Sequence, residues 1–222
     1  MRTSDVLSSA GSSGTTRCVG LPPGFVRLAE VAPGIVQDIV YASPRNFTGR
    51  PVTGYEAADC WLREEAAFAL ARVAARAEEQ GVCLVVYDGY RPQRAVDALV
   101  KWAADPTDEI VKAAYYPDID KSRLFAAGYI GLQSFHSTGL AVDVGLLRKD
   151  GAALDFGTPF DFFDPRSATA HVTIGGGARI NRLRLLGLME AEGFENYPRE
   201  WWHFRLRGFA AAPPYDLPIC RP

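Results

Sequence analysis

The sequence has few histidines, few methionines and no long apolar run. Its 222 residues include 3 histidines and 2 methionines, and none of its 4 cysteines lies in a C-x-x-C pair. A membrane-spanning helix needs about 20 consecutive apolar residues, so we expect no such helix. The absence of paired cysteines argues against a cysteine zinc site and against a thioredoxin-like redox motif.

Charge of one sign is not in excess either. The formal net charge is −2, from 24 basic and 26 acidic residues. No strong electrostatic attraction to nucleic acid or to an anionic membrane is therefore expected. The hydrophobic fraction of 48% and the charged fraction of 23% are ordinary for a globular protein. A chain of this length can bury one well-formed core.

The two ends of the chain differ in composition from its middle. Residues 1–24 are rich in Ser, Gly and Thr and lack the apolar segment of about 7–15 residues that a secretory signal requires. We expect a flexible leader there and a cytoplasmic location, with a periplasmic location as the alternative. Residues 208–222 form a proline-rich tail, which leaves residues 25–207 as the main domain. A disulfide from Cys18 to Cys220 or to Cys60 stays open, and so does the oligomeric state.

Periodicity along the middle of the chain predicts a mixture of helices and strands. Apolar residues recur at helical spacing over about 57–80, 92–104 and 179–192. Short β-rich runs predict strands near 82–90, 139–147 and 200–207. Residues 105–130 show no clear periodicity and suggest an excursion around the core. Because no regular βαβ rhythm appears, we expect an α+β fold rather than a doubly wound α/β fold.

Two of the three histidines lie close to carboxylates in the sequence. His136 and Asp143 occur in SFHSTGLAVD, residues 134–143, and His203 follows Glu200 in EWWH. A hydrolytic zinc site needs about three protein ligands and one open position for water. Two imidazoles and one carboxylate supply those ligands, and a further carboxylate beside the water acts as base. His136, Asp143, His203 and Glu200 therefore form a candidate zinc site.

A structural role for the same residues stays open on this evidence alone. A histidine near aromatic residues is more often packed or exposed than a metal ligand, and the spacing is not the helical H-E-x-x-H signature. Asp143 is harder to dismiss, because it interrupts the apolar run LAVDVGLL, where an unpaired carboxylate is costly. Arg91 follows a predicted strand and is suited to stabilise an oxyanion.

The motifs S-x-H-x-x-G-x-A-x-D and E-x-W-H together resemble those of the zinc D-Ala-D-Ala peptidases. Further segments at 41–52, 87–96, 156–167 and 181–194 resemble the VanX-type D-alanyl-D-alanine dipeptidases. The resemblance covers roughly residues 25–207 and implies the α+β Hedgehog/D-Ala-D-Ala-peptidase fold, with helices packed on an antiparallel sheet. The implied activity is hydrolysis of D-Ala-D-Ala in cell-wall precursor metabolism or glycopeptide resistance.

The same resemblance implies a role for individual residues. It implies one Zn²⁺ per chain, bound by His136, Asp143 and His203. It implies that Glu200 is the catalytic base and that Arg91 stabilises the tetrahedral intermediate. Positions that match the dipeptide pocket are Ser134, Tyr41, Tyr55 and Asp161. Asp161 suits the free ammonium of a dipeptide, and Asp88 either orients Arg91 or is a turn residue in the sequence DG.

Two other functions stay open. One is a peptidoglycan D,D-carboxypeptidase or endopeptidase that acts on longer cell-wall peptides. The other is a catalytically inactive, zinc-stabilised binding module, against which the presence of both Glu200 and Arg91 argues. A pocket capped by the 105–130 excursion and Asp161 would favour the dipeptidase, whereas an open groove would favour an enzyme that trims longer peptides.

Overall fold

The computed structural model describes residues 20–221, and its centre among these residues is a five-stranded sheet. The strands are β1 Phe25–Arg27, β2 Val36–Gln37, β3 Trp61–Arg63, β4 Val82–Asp88, β5 Ala141–Arg148, β6 Phe194–Asn196 and β7 His203–Leu206. The main sheet has the order β2-β4-β5-β7-β6, and β1 pairs with β3 separately. Strand β2 runs parallel to β4, and the other neighbours are antiparallel. The expected α+β class is confirmed.

Helices pack on this sheet and on each other. They are α1 Leu28–Val31, α2 Glu64–Glu79, α3 Gln93–Ala104, α4 Lys112–Tyr115 and α5 Gly176–Ala191, with 3-10 helices at Val40–Ala42, Lys121–Arg123, Phe135–Thr138 and Pro165–Ser167. Helix α2 buries a stripe that includes Leu70 and Val73, both 0% exposed. On its outer face, Arg72 and Arg76 form ion pairs with Glu192, which directly follows α5. Helices α2 and α5 thus form one supporting layer.

The bounds of several elements differ from the sequence-based expectation. Helix α2 begins at Glu64 rather than near residue 57, because Trp61–Arg63 pair with β1 as a strand. Strand β7 begins at His203, since the expected strand from residue 200 is a turn up to that point. Strand β6 has no counterpart among the expected strands. Long-range strand pairing decides each of these cases, and local periodicity does not report it.

The segment after β7 packs back onto the domain. Ile219 is 1% exposed and forms a β-bridge with Tyr55, and the ring of Tyr215 lies edge-on to Phe25 at 5.1 Å. The division into residues 1–24, 25–207 and 208–222 stays a prediction. Residues 1–19, with Cys18, and residue 222 lie outside the described residues.

Two remaining expectations concern the cysteines and the membrane. Cys60 and Cys83 carry free thiols, so the alternative of a Cys18–Cys60 bridge is wrong, and Cys220 is disulfide-bonded. Over residues 20–221, none of the helices combines the length and the apolar character needed to span a bilayer.

Three adjacent strands of the main sheet bring polar residues into one row. Asp88 at the end of β4 is paired with Asp143 on β5, and Asp143 is paired with His203 on β7. Strand β5 is buried along its length except for Arg148. The middle of the sheet therefore carries two carboxylates and an imidazole side by side, where apolar residues would otherwise be expected.

Candidate active site

The side chains of His136, Asp143 and His203 converge at the end of this row. His136 Nε2 lies 3.0 Å from His203 Nδ1 and 3.3 Å from Asp143 Oδ1. His203 Nδ1 lies 2.9 Å from the same carboxylate oxygen. His136 and Asp143 are buried, and His203 is partly buried. Three potential ligand atoms from distant parts of the chain thus face one point.

The local backbone orients the first of these imidazoles. His136 lies on the 3-10 helix Phe135–Thr138, and Ser134 caps this helix by accepting the His136 N–H at 3.3 Å. Gly139 ends the helix in the left-handed region, with φ 75°, which glycine adopts without strain. His136 Nδ1 lies 2.7 Å from the carbonyl of Gly89. Because a carbonyl only accepts, Nδ1 carries the proton and Nε2 is free to bind a metal.

This donor set fits zinc. Two imidazole nitrogens and a carboxylate oxygen are the ligand types of hydrolytic zinc sites. Tetrahedral zinc with bonds of about 2.0–2.2 Å places its ligand atoms roughly 3.3–3.6 Å apart, close to the 2.9–3.3 Å found here. Burial alone would raise the pKa of Asp143, but the charges and hydrogen bonds of His136 and His203 outweigh it and hold that pKa well below its ordinary value. Asp143 is therefore ionised and ready to bind a cation.

Arg91 lies beside this cluster and is held by Asp88. Its Nε donates to Asp88 Oδ2 at 3.0 Å, and one terminal nitrogen lies 2.8 Å from the same oxygen and 3.6 Å from Asp143 Oδ2. The hydroxyl of Tyr55 donates to the other Asp88 oxygen at 2.6 Å. Asp88 is 0% exposed. Burial raises its pKa, and the positive charge of Arg91 opposes that rise.

Asp161 places a further buried carboxyl group in the site. It is 5% exposed and accepts a hydrogen bond of 2.7 Å from the hydroxyl of Tyr41. Burial, with the nearby charge of Asp143, raises the pKa of Asp161 well above its ordinary value. The guanidinium of Arg91 lies 4.9 Å from the centroid of the Tyr41 ring, so Tyr41 contacts both charged groups.

Glu200 reaches the site from the turn that precedes β7. Burial raises its pKa from 4.5 to about 7, and the charge of His203 acts against this rise. A carboxyl group with a pKa near neutrality can both accept and return a proton. The turn itself is fixed by hydrogen bonds of 2.9 Å and 3.0 Å from the side-chain amide of Asn196 to the carbonyls of Glu200 and His203.

These groups surround a cavity of about 230 Å³, smaller than the roughly 300–1,000 Å³ of pockets for drug-sized ligands. Eight of the residues identified from the sequence line it: Tyr41, Arg91, Ser134, His136, Asp143, Asp161, Glu200 and His203. Tyr55 and Asp88 are not in the wall and lie behind Tyr41 and Arg91. Tyr129 and Ile130, from the 105–130 excursion, also line it.

The sequence motifs do not identify the whole cavity wall. Phe47, Gln133, Phe163, Tyr197 and Trp202 also line it. Trp202 is the tryptophan of the E-x-W-H motif and Gln133 adjoins Ser134 of the other motif, so the sequence carried a signal for both positions. Phe47 and Phe163, whose ring centroids are 4.9 Å apart, come from loops distant in sequence; the resemblance of segments 41–52 and 156–167 marks their regions but not these individual positions.

Comparison with known proteins gives consistent matches over most of the chain. A family model described as D-ala-D-ala dipeptidase, of peptidase family M15, matches residues 22–219. The chain is 43% identical over 185 residues to a D-alanyl-D-alanine dipeptidase of Enterococcus faecium, covering 83% of this chain and 92% of that protein. For the Streptomyces coelicolor protein of the same description, the identity is 38% over 197 residues, covering 88% and 98%. For the Escherichia coli protein it is 35% over 189 residues, covering 85% and 88%.

Proposed function

The chain belongs to the D-alanyl-D-alanine dipeptidases of peptidase family M15, and we propose that it hydrolyses D-Ala-D-Ala with the residues described above. The observation that carries this proposal is the convergence of His136, Asp143 and His203 on one wall of a small cavity that also contains Arg91, Asp161 and Glu200. A metal site, a base and groups for both ends of a dipeptide occur together only there among the described residues.

His136, Asp143 and His203 would hold the zinc ion of this family. When bound, zinc supplies a Lewis acid that polarises the scissile carbonyl and makes a water more acidic. The protein's own contribution begins with orientation. The Gly89 carbonyl fixes the His136 tautomer, and the register of β5 with β7 fixes Asp143 against His203. Such outer contacts hold the ligands in place before any ion arrives.

Glu200 is the proposed base. It takes a proton from the attacking water and passes it to the nitrogen of the leaving amino acid as the peptide bond breaks. A pKa raised to about 7 by burial suits this exchange, because the group is basic enough to accept the proton and acidic enough to release it.

Arg91 is the proposed partner of the negative charge that develops on the carbonyl oxygen. Asp88 holds the guanidinium through Nε and one terminal nitrogen, so its remaining N–H groups are oriented in advance. Charge stabilisation by a group that is already oriented requires little reorganisation during the reaction. Tyr55 holds Asp88 from the opposite side, and we assign both Tyr55 and Asp88 a supporting role rather than contact with the substrate.

Asp161 is the proposed site for the free ammonium group of the dipeptide. A buried carboxylate is costly without a positive partner, and burial raises the pKa of Asp161 well above its ordinary value. An incoming ammonium group offsets that cost. Tyr41 orients the carboxylate at 2.7 Å. Ser134, two residues before His136 in the motif, provides a hydroxyl for the carboxylate end of the substrate.

The small size of the cavity, about 230 Å³, favours a dipeptidase over an enzyme that trims longer peptides. Residues of the 105–130 excursion line the same cavity as Asp161, which leaves room for a small substrate. A longer peptide would carry an amide in place of the ammonium, and Asp161 would then face an uncharged group. Rejection of such a substrate follows from the cost of leaving a buried charged group unpaired.

The decisive experiment compares D-Ala-D-Ala, L-Ala-L-Ala and N-acetyl-D-Ala-D-Ala on the zinc-reconstituted chain. We expect efficient hydrolysis of the first and, at equal concentration, at least about 100-fold slower hydrolysis of the acetylated form, because its missing ammonium leaves Asp161 unpaired. Cleavage of the acetylated dipeptide at a comparable rate would contradict the assignment of Asp161. The L,L-dipeptide tests the stereochemistry that the family implies.

The cellular setting stays a prediction. A cytoplasmic location is expected, with the periplasm as the alternative, and fractionation of cells expressing the full chain distinguishes them. Disruption of the gene with measurement of glycopeptide susceptibility separates a role in resistance from dipeptide salvage.

A further inference from the structure

Arg182, on helix α5, is a buried arginine bonded to a single loop. The residue is 1% exposed. Nε donates to the carbonyl of Phe156 at 2.7 Å, and one terminal nitrogen donates to the carbonyls of Arg166 at 2.9 Å and Ala168 at 2.7 Å. A buried guanidinium is costly unless its donors are satisfied, and burial lowers the pKa of Arg182 to about 10. These hydrogen bonds hold both ends of residues 156–168 against helix α5.

The segment fixed in this way carries Asp161. Among residues 20–221, Asp161 is the non-glycine residue with a positive φ, at 57°. A residue with a side chain rarely adopts this left-handed conformation, and it persists where the surroundings impose it. Arg182 anchors the chain on both sides of Asp161, and Tyr41 holds its carboxylate. Strain and anchoring occur together at the proposed ammonium site.

A hydroxyl extends the same network to the turn that carries Glu200. The other terminal nitrogen of Arg182 lies 3.3 Å from Thr158 Oγ1, which also accepts the indole N–H of Trp201 at 3.0 Å. The backbone N–H of Trp201 donates to the carbonyl of Ser167 at 3.0 Å. Trp201 directly follows Glu200, so Thr158 connects the Asp161 segment with the base.

We propose that Arg182 and Thr158 are positioning residues that set the Asp161 carboxylate relative to Glu200 and thereby determine affinity for the dipeptide ammonium. This inference rests on the proposed function, because it requires that Asp161 binds the ammonium. Neither residue lines the cavity, so each acts through the 156–168 segment and not by touching the substrate.

Two substitutions test the network. Arg182→Lys keeps the charge and loses the fork that reaches several acceptors at once. Thr158→Val keeps the shape of the side chain and removes its hydroxyl. Thr158→Ser keeps the hydroxyl and removes the methyl group, so it serves as the conservative variant. Arg184→Lys is the matched control, since Arg184 lies two residues away on the same helix and, among residues 20–221, donates its hydrogen bonds to Gln80 and not to the 156–168 segment. The zinc content, the thermal midpoint, kcat and KM for D-Ala-D-Ala are measured for each protein.

We expect KM to rise about tenfold or more in Arg182→Lys and Thr158→Val, because misplacing one charge-assisted hydrogen bond weakens binding by about that factor. Zinc should stay at one ion per chain, and Thr158→Ser and Arg184→Lys should keep KM close to that of the parent. A lower thermal midpoint with unchanged KM in both Thr158→Val and Arg182→Lys would show a purely structural role and overturn the proposal. If Arg182→Lys does not fold, the two Thr158 variants decide alone.

Asp161→Asn separates this inference from the proposed function. If Asp161→Asn leaves KM unchanged, the ammonium assignment fails and the positioning role fails with it. If Asp161→Asn raises KM while the Thr158 and Arg182 variants do not, only the positioning role is overturned. In the double variant Asp161→Asn/Thr158→Val, we expect no further rise in KM beyond Asp161→Asn alone, because residues that act through one group are not additive. If the KM increases of Asp161→Asn and Thr158→Val instead multiply in the double variant, the positioning role is also refuted.

Discussion

Replacing Glu200 with Gln should abolish most of the activity and at the same time stabilise the metal-free protein. The amide keeps the size of the side chain and cannot take the proton of a water. General-base catalysis typically contributes about 10²–10⁴-fold, and we expect kcat for D-Ala-D-Ala to fall by that range. Because Glu200 is not among the three converging ligand residues, the zinc content should stay at one ion per chain.

The expected gain in stability follows from the raised pKa. Burial moves the pKa of Glu200 from 4.5 to about 7, which makes ionisation in the folded chain roughly 3 kcal/mol less favourable than in the unfolded chain. An acid whose folded pKa is raised destabilises the fold above its unfolded pKa. The cost is absent below about pH 4, grows as the pH rises toward 7 and is complete above it. Gln carries no such cost.

Thermal unfolding of the chelator-treated proteins at pH 4 and pH 8 measures this difference. At pH 8 we expect Glu200→Gln to unfold at a temperature higher by several degrees, since 1 kcal/mol corresponds to about 2–4 °C for a chain of this size. At pH 4 the two midpoints should agree. Glu190→Gln, which changes an exposed carboxylate on α5, is the control and should show neither effect. Near-normal turnover of the zinc-loaded Glu200 variant, or a midpoint difference independent of pH, would refute the reasoning.

Three further predictions concern the surroundings of the site. His203→Asn should reduce bound zinc to well below one ion per chain after dialysis, measured by metal analysis; full retention would argue against its role as a ligand. Asp88→Asn should lower kcat by about 10²-fold through loss of the charged partner of the active-site arginine while zinc stays bound, and an unchanged kcat would make Asp88 a turn residue only. Glu192→Gln should lower the thermal midpoint by a few degrees at pH 7, because hydrogen bonds from Arg72 and Arg76 lower the pKa of Glu192. That loss should shrink as the pH falls below the ordinary pKa of a glutamate and vanish below the lowered pKa of Glu192, where the group is protonated in both states; a loss that persists there would contradict the prediction.

The sequence predicts the proposed metal ligands and catalytic residues better than it predicts the residues that orient them through hydrogen bonds. His136, Asp143 and His203 are recognisable because their motifs constrain residue type and spacing together. For Asp88 the sequence does not decide between a turn residue and a partner of Arg91, since the dipeptide DG is common in turns. Its complete burial and its two hydrogen-bonded partners arise from tertiary packing, which no local pattern reports.

The same limit applies to the start of α2 and to Arg182. Helical periodicity extends before Glu64, but pairing with β1, more than thirty residues earlier in the chain, converts residues 61–63 into a strand. Arg182 occupies an ordinary position in a helical pattern, where a long basic side chain is normally exposed. Only the fold shows that this position faces the carbonyls of residues 156–168.

The proposed metal ligands and the proposed ammonium site are supported by different elements. Asp143 and His203 are fixed by strand register, and a slip of one residue would turn Asp143 to the other face of the sheet. Asp161 depends instead on the 156–168 segment, whose Phe160 stacks on Tyr87 at 4.7 Å. Tyr87 in turn packs over Gly145, where a Cβ would lie 2.7 Å from its hydroxyl oxygen.

Gly145 thus connects the two parts of the site without belonging to either. Gly145→Ala places a methyl group against Tyr87 on a strand whose register is held by β4 and β7, so the ring of Tyr87 has to move rather than the strand. Its stacking partner Phe160 directly precedes Asp161, so we expect the displacement to reach the proposed ammonium site before it reaches the proposed metal ligands. Changes in this region should alter KM for the dipeptide while zinc affinity stays constant, because rigid strands hold the ligands and a single anchored turn holds the carboxylate.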